Sequence, residues 1–345
     1  MRSFRITGFL AFCFLLSALV SQAQEKDKSK AKPKERKYPH VNVATVYEVD
    51  LKWPQRPADM QWGAVPGIAV DAKDNVYVFT RAKHPVQVYD KTGKFLRDWG
   101  KDIGSGSAHH LKIDRDGNVW ISDIVHHVVE KYTPEGKLLM TLGTKGVAGR
   151  DQTHFYMPTD MAIASNGDIF VSDGYGNARV VHFTKDGKYV NEWGDLGSGP
   201  GQFSIPHAIA INSKDQVFVA DRNNARIQVF DTKGKYIEEW RNLIVPWGFH
   251  VTKNDDLWVC GSSVAQWRKE DSNLGVPPKD QIFMRFNPTG KLVQLFAIPK
   301  GIDGLERRGE VNWVHALAFD SEGNLYVGDI IGRNAQKFVV RTPKK

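Results

Sequence analysis

The chain has 345 residues, 41% of them hydrophobic, and a formal charge of +8. That length supports one large core or two smaller domains. The charge does not point to nucleic acid: +2 of it lies in residues 1–23 and +4 in residues 24–40, leaving about +2 from Val41 onward.

Taken in chain order, Arg2 and Arg5 precede an apolar run from Gly8 to Val20, and Ser21-Gln22-Ala23 puts small residues at the cleavage positions. This predicts a signal peptide over 1–23. The product is then a secreted protein, periplasmic or extracellular, with no membrane span after cleavage. The Lys-rich stretch 24–40, with Pro33 and Pro39, reads as a disordered linker. The fold proper is expected over 41–345. Cys260 is the only cysteine beyond residue 23, so no internal disulfide is expected and burial must supply stability.

From here a repeat takes over. Short apolar strands begin at Ile68, Leu111, Met161, Ile209, Phe249 and Leu317. Each leads through a turn rich in Asp, Asn, Gly and Lys to a second strand: "NVYVF", "NVWIS", "DIFVS", "QVFVA", "DLWVC" and "NLYVG". Third and fourth strands follow in most copies, joined by turns at Gly93, Gly136, Gly187, Gly234 and Gly290. Four short strands per copy, with no sustained helical periodicity, predict an all-β, six-bladed β-propeller. The last copy is one strand short. The unrepeated "HVNVATVYEVD" is expected to supply its outer strand and close the ring.

Six copies also separate architecture from site. Asp123, Asp173, Asp221 and Asp329 share one repeat position, so they read as acceptors for turn amides. "NARV" at 177–180 and "NARI" at 224–227 read as architecture for the same reason. The position two residues before each first strand behaves differently. It holds Pro66, His109, Thr159, His207, Trp247 and His315, with histidine in blades two, four and six. Alternate blades of a six-bladed ring stand about 120° apart, so the three imidazoles should meet on the axis. Three protein ligands and an open fourth position are how a catalytic zinc is held. The other eight histidines, among them His110, His126, His127 and His250, show no such symmetry and read as surface or structural. Arg81 and Arg222 share a position in blades one and four, across the ring from each other, and suit a carboxylate.

"DQTHFYMPTDMAI", "VSDGYGNARVVHF", "GQFSIPHAIAI" and "VADRNNARIQVF" together resemble the peptidyl-α-hydroxyglycine α-amidating lyase family, propellers related to NHL-repeat proteins, over about Val65 to Phe338. The resemblance implies zinc on His109, His207 and His315, a catalytic Tyr175, and active-site arginines at Arg81 and Arg222. It implies cleavage of an N-acyl-α-hydroxyglycine, a small molecule or peptide with a carboxylate, into a primary amide and glyoxylate. Cations near Tyr175 are expected to depress its pKa so that it acts as base. The resemblance also implies a calcium on the backbone carbonyls of Val65 and Leu111 and on an acid after the third histidine. That position is Ala316, which removes the only charged ligand and counts against calcium. Gly176 stands where animal members have a cysteine, and "WVHA" around His315 departs from the family pattern. Two other readings stay open on the same fold: a non-catalytic NHL-type propeller that binds protein or glycan, and a calcium-dependent lactonase-like hydrolase, which needs axial carboxylates.

Overall fold

The computed structural model describes residues 46–104, 106–264 and 280–341. The expected signal peptide and linker lie outside these residues. The described chain folds into six four-stranded antiparallel sheets, the blades of a β-propeller. Blade 1 runs from β2 (Gly67–Val70) to β5 (Phe95–Trp99), and blade 2 from β6 (Ala108–Ile113) to β9 (Leu138–Leu142). Blade 3 runs from β10 (Asp160–Ile163) to β13 (Tyr189–Trp193), and blade 4 from β14 (Pro206–Ile211) to β17 (Tyr236–Arg241). Blade 5 spans β18 (Val245–Val251) to β21 (Leu292–Ala297). Blade 6 combines β22 (Val314–Phe319), β23 (Leu325–Asp329) and β24 (Asn334–Arg341) with β1 (Val46–Val49), which pairs antiparallel with β24. The ring is therefore closed by the N-terminal strand, as the missing repeat required. Among the described residues no helix is long and apolar enough to cross a membrane.

Burial explains the strand sequences. The second strands, such as Val119–Asp123 and Val217–Asp221, are buried at every position because neighbouring blades cover both faces. Outer strands such as β9 remain largely exposed. Six apolar clusters hold the ring, one at each interface between adjacent blades. Turn glycines fit against the preceding blade: a Cβ on Gly136 would meet the Trp99 ring at 2.6 Å, and one on Gly234 the Trp193 ring at 2.7 Å.

Turns also clasp neighbouring blades. Ser165, Ser213 and Ser321 each donate a backbone amide and a hydroxyl to Asp215, Asp255 and Asp74 respectively. The last of these joins blade 6 to blade 1.

Candidate metal centre

The innermost strands β6, β14 and β22 share an irregularity where they begin. Their pairing shifts register between Ala108 and Leu111, between Pro206 and Ile209, and between Val314 and Ala316. An extra residue at such a bulge re-aims its side chain. The residues there include His109, His207 and His315. A similar shift in β18, between Pro246 and Gly248, displays Trp247.

The three imidazoles meet on the axis in near three-fold arrangement. Their ring centroids lie 4.8 Å (His109–His207), 4.7 Å (His109–His315) and 4.8 Å (His207–His315) apart. One nitrogen of each falls within 4.8 Å of the others, and all three rings are buried. Among the described residues they form the one such cluster of potential metal ligands.

The blades without histidine supply the other half of the arrangement. His109 Nδ1 lies 2.5 Å from the Thr159 carbonyl, His207 Nδ1 2.7 Å from the Trp247 carbonyl, and His315 Nδ1 2.8 Å from the Pro66 carbonyl. Thr159, Trp247 and Pro66 occupy the histidine position in the next blade round. A carbonyl can only accept, so each Nδ1 carries the proton and each Nε2 presents a lone pair. Such outer contacts fix ring orientation and tautomer at metal-bound histidines. Burial, followed by the neighbouring histidines, holds all three pKa values well below the usual imidazole range, so the rings are neutral at pH 7. Buried, neutral and convergent, this donor set fits a divalent transition metal.

Tyr175 follows β11 (Ile169–Asp173) and covers the trio. Its hydroxyl lies 3.0 Å from His109 Nε2 and 3.1 Å from His207 Nε2. Glycines on both sides permit this approach. A Cβ on Gly174 would meet the Pro206 carbonyl oxygen at 2.0 Å, and one on Gly176 the Tyr156 ring at 2.1 Å. A cysteine at Gly176 is therefore incompatible with Tyr156 as it stands.

Both arginines reach the same mouth. Arg81 Nε donates to the carbonyl of Ala108, directly before His109, at 3.0 Å. The Arg222 guanidinium lies 4.8 Å from the Trp247 ring centroid and 5.6 Å from that of Tyr175. Neither is ion-paired among the described residues, and the one anionic influence on each is Tyr175 itself. Two half-buried guanidiniums without an acid make an anion site.

The two arginines do not by themselves lower the Tyr175 pKa. Burial raises the Tyr175 pKa, and the opposing charges of Arg222 and Arg81 do not overcome it. The arginines alone leave the phenol protonated.

The repeated aspartates behave as architecture. Asp173 accepts from the Tyr156 amide and from Arg179, and Asp221 accepts from the Ser204 amide and from Arg226. Asp329 accepts from the amides of Asn312, Trp313 and Gly332. These bonds hold the loops that enter the innermost strands.

Calcium does not fit. Val65 and Ala316 pack in the apolar cluster between blades 6 and 1, and Leu111 in that between blades 1 and 2. The nearby acids Asp160 and Asp114 are taken by Lys112 and Lys131, at 3.1 and 3.2 Å. With no free axial carboxylate among the described residues, the lactonase-like reading loses support as well.

Residue spacing gave no sign of His110, buried beside the trio, nor of Trp247, whose carbonyl and ring both serve the site. A symmetric search of carbonyl positions would have found Trp247.

Fold and site together define a six-bladed propeller with an axial three-histidine centre roofed by tyrosine and arginine. Comparisons with known proteins agree on the fold: a family model described as "6-bladed beta-propeller" matches residues 160–273. The peptidylglycine alpha-amidating monooxygenase of Rattus norvegicus is 39% identical over 208 residues, covering 51% of this chain and 21% of that protein. A probable peptidyl-alpha-hydroxyglycine alpha-amidating lyase of Caenorhabditis elegans is 31% identical over 201 residues, 56% of this chain and 52% of that one. The chain thus spans about half of the worm relative's length and about a fifth of the rat relative's. Virginiamycin B lyase from Staphylococcus aureus, at 17% identity, shares the fold with a TM-score of 0.53 over 85% of this chain and 99% of that chain. The chain is thus similar, over about half its length, to a probable peptidyl-alpha-hydroxyglycine alpha-amidating lyase.

Proposed function

We propose that this protein is a secreted, zinc-dependent lyase that splits an N-acyl-α-hydroxyglycine into a primary amide and glyoxylate. The observation that carries this reading is the Tyr175 hydroxyl, held 3.0 and 3.1 Å from two of the three histidine Nε2 atoms. A hydroxyl placed there can exchange a proton with a substrate hydroxyl brought to the same three nitrogens.

His109, His207 and His315 would hold the ion. A divalent zinc there supplies positive charge that acidifies both the phenol and a substrate hydroxyl. Arg81 and Arg222 bind the substrate carboxylate and so place the α-carbon under the tyrosine. Tyr175, as phenolate, removes the hydroxyl proton. The oxygen's electron pair forms the aldehyde C=O as the C–N bond breaks, and the nitrogen takes the proton from Tyr175. No water, oxidant or reductant is consumed. Indole and phenol faces hold Arg222 in place without neutralising it.

The test is metal content of the purified protein by mass spectrometry, with glyoxylate and amide release from an N-acyl-α-hydroxyglycine. Support is about one zinc per chain, its loss in His207→Ala, and equimolar products from the metal-loaded protein alone. Metal-loaded protein that releases no glyoxylate sinks the lyase reading and favours a binding propeller.

A further inference from the structure

On the channel side of the three histidines, the innermost strands enclose a cavity of about 250 Å³. Its walls are mainly apolar: Ile68, Val70, Met161, Ile209, Phe249 and Leu317 all contribute. Into it reaches Lys112. Its Nζ lies 3.1 Å from Asp160 Oδ2 on β10 and 3.4 Å from the Phe249 carbonyl on β18. The lysine itself stands on β6, so its side chain ties blade 2 to blades 3 and 5 across the channel.

Asp160 has no exposure to solvent. Its Oδ1 accepts from the Met161 amide at 2.9 Å, and its Oδ2 from the Ile209 amide at 3.0 Å. Two amides and one ammonium thus occupy the carboxylate. Burial alone would drive it to the neutral form, and Lys112 is the largest opposing influence. A hard divalent cation needs six to eight oxygens and several formal charges. An ammonium needs three acceptors and one charge, and here Asp160 and the Phe249 carbonyl supply the charge and two acceptors. His250, lining the same cavity, has its pKa pushed down to about 4 by burial and by Lys112, so it adds no charge at neutral pH.

We propose that the Lys112 ammonium is the structural cation of this channel, standing where a divalent ion would otherwise bridge the blades. The protein then carries a single metal ion per chain, at the histidines, and its stability is indifferent to calcium. This holds whether or not the histidine centre is a lyase.

The experiment compares thermal melting of the full chain in millimolar calcium and in a calcium-selective chelator, with calcium content after dialysis. Wild type should melt at the same temperature in both and retain no calcium. Lys112→Met, which keeps the stem and removes the charge, should melt roughly 5–15 °C lower. The double variant Lys112→Met/Asp160→Asn should regain most of that loss, because the stranded charge goes with its partner. Stoichiometric calcium in wild type, or a calcium-dependent rise in its melting temperature, overturns the proposal. So does Lys112→Met melting like wild type. If that variant does not fold, the wild-type calcium measurement still decides.

Discussion

The phenol oxygen of Tyr175 lies 3.1 Å from Nε2 of His207. The distance has a definite chemical meaning because the other nitrogen of that ring is committed to the Trp247 carbonyl. His207 Nε2 can only accept, so the phenol donates and its proton points at the metal position. Tyr175→Phe keeps the ring and removes the hydroxyl. The expected result is a loss of kcat by about 10²–10⁴-fold, the range of a positioned general base, with metal content unchanged. Glyoxylate release and metal analysis of the same preparation check both halves. Full activity in the variant removes the tyrosine from the reaction.

Arg222 separates charge from geometry. Arg222→Lys keeps the positive charge but gives up the planar fork and its stacking on Trp247. A lost hydrogen bond to a charged group is worth about 1.5–3 kcal/mol, so KM should rise about 10- to 100-fold while kcat falls less. Steady-state kinetics distinguish this from a purely structural role, which would leave KM unchanged and lower the melting temperature.

Asp221 joins stability to the site. It is buried, accepts from Arg226 Nε and the Ser204 amide, each at 2.6 Å, and thereby fixes the chain just before His207. Asp221→Ala removes the fully buried carboxylate partner of the Arg226 guanidinium and should cost about 3 kcal/mol. Glu239→Gln, which alters the more exposed partner of Arg226, should cost much less. Urea unfolding measures the difference, and metal titration of Asp221→Ala should show weakened binding at the histidines.

Acid should weaken the protein in a predictable direction. The buried imidazoles of His109, His110, His207 and His315 have folded pKa values below the usual 6.5. Below that pH the unfolded chain binds protons that the folded chain refuses. Stability is therefore complete above about pH 6.5 and is lost as pH falls toward the folded values, about 3 for His110. Each such group adds a slope of up to about 1.4 kcal/mol per pH unit. Metal-free protein should lose melting temperature steadily from pH 6.5 to about 5. Metal-loaded protein should start higher at neutral pH and fall more steeply, as protons also displace the ion. A flat melting profile over this window contradicts neutral, buried histidines.

Much of this was legible in the chain because the repeat is its own control. Six copies show that Asp173 and Asp221 fill a position that is aspartate in four blades, while His109, His207 and His315 fall only on alternate blades. The closing strand was legible because blade 6 came up one strand short. The carbonyl partners were not, since Thr159, Trp247 and Pro66 act through backbone atoms that residue type does not reveal. Lys112 was hidden for another reason. "AHHLKI" reads as a strand with a lysine on its solvent face, but an innermost propeller strand faces a channel, and the lysine finds Asp160 there. The burial of Tyr175, which outweighs the charges of Arg222 and Arg81, was not legible either, because a sequence shows nearby charges and not what covers them.

The hydrogen bond from His315 to the Pro66 carbonyl spans 249 residues and joins the last blade to the first. It follows that the three-histidine centre cannot exist in a partial chain. A nascent polypeptide must emerge through blade 6 and curl back onto blade 1 before the third ligand is oriented. Metal uptake is thus a readout of completed synthesis and ring closure. In a refolding experiment it should trail the burial of tryptophan, because a contact of such range bears a large entropic cost of loop closure.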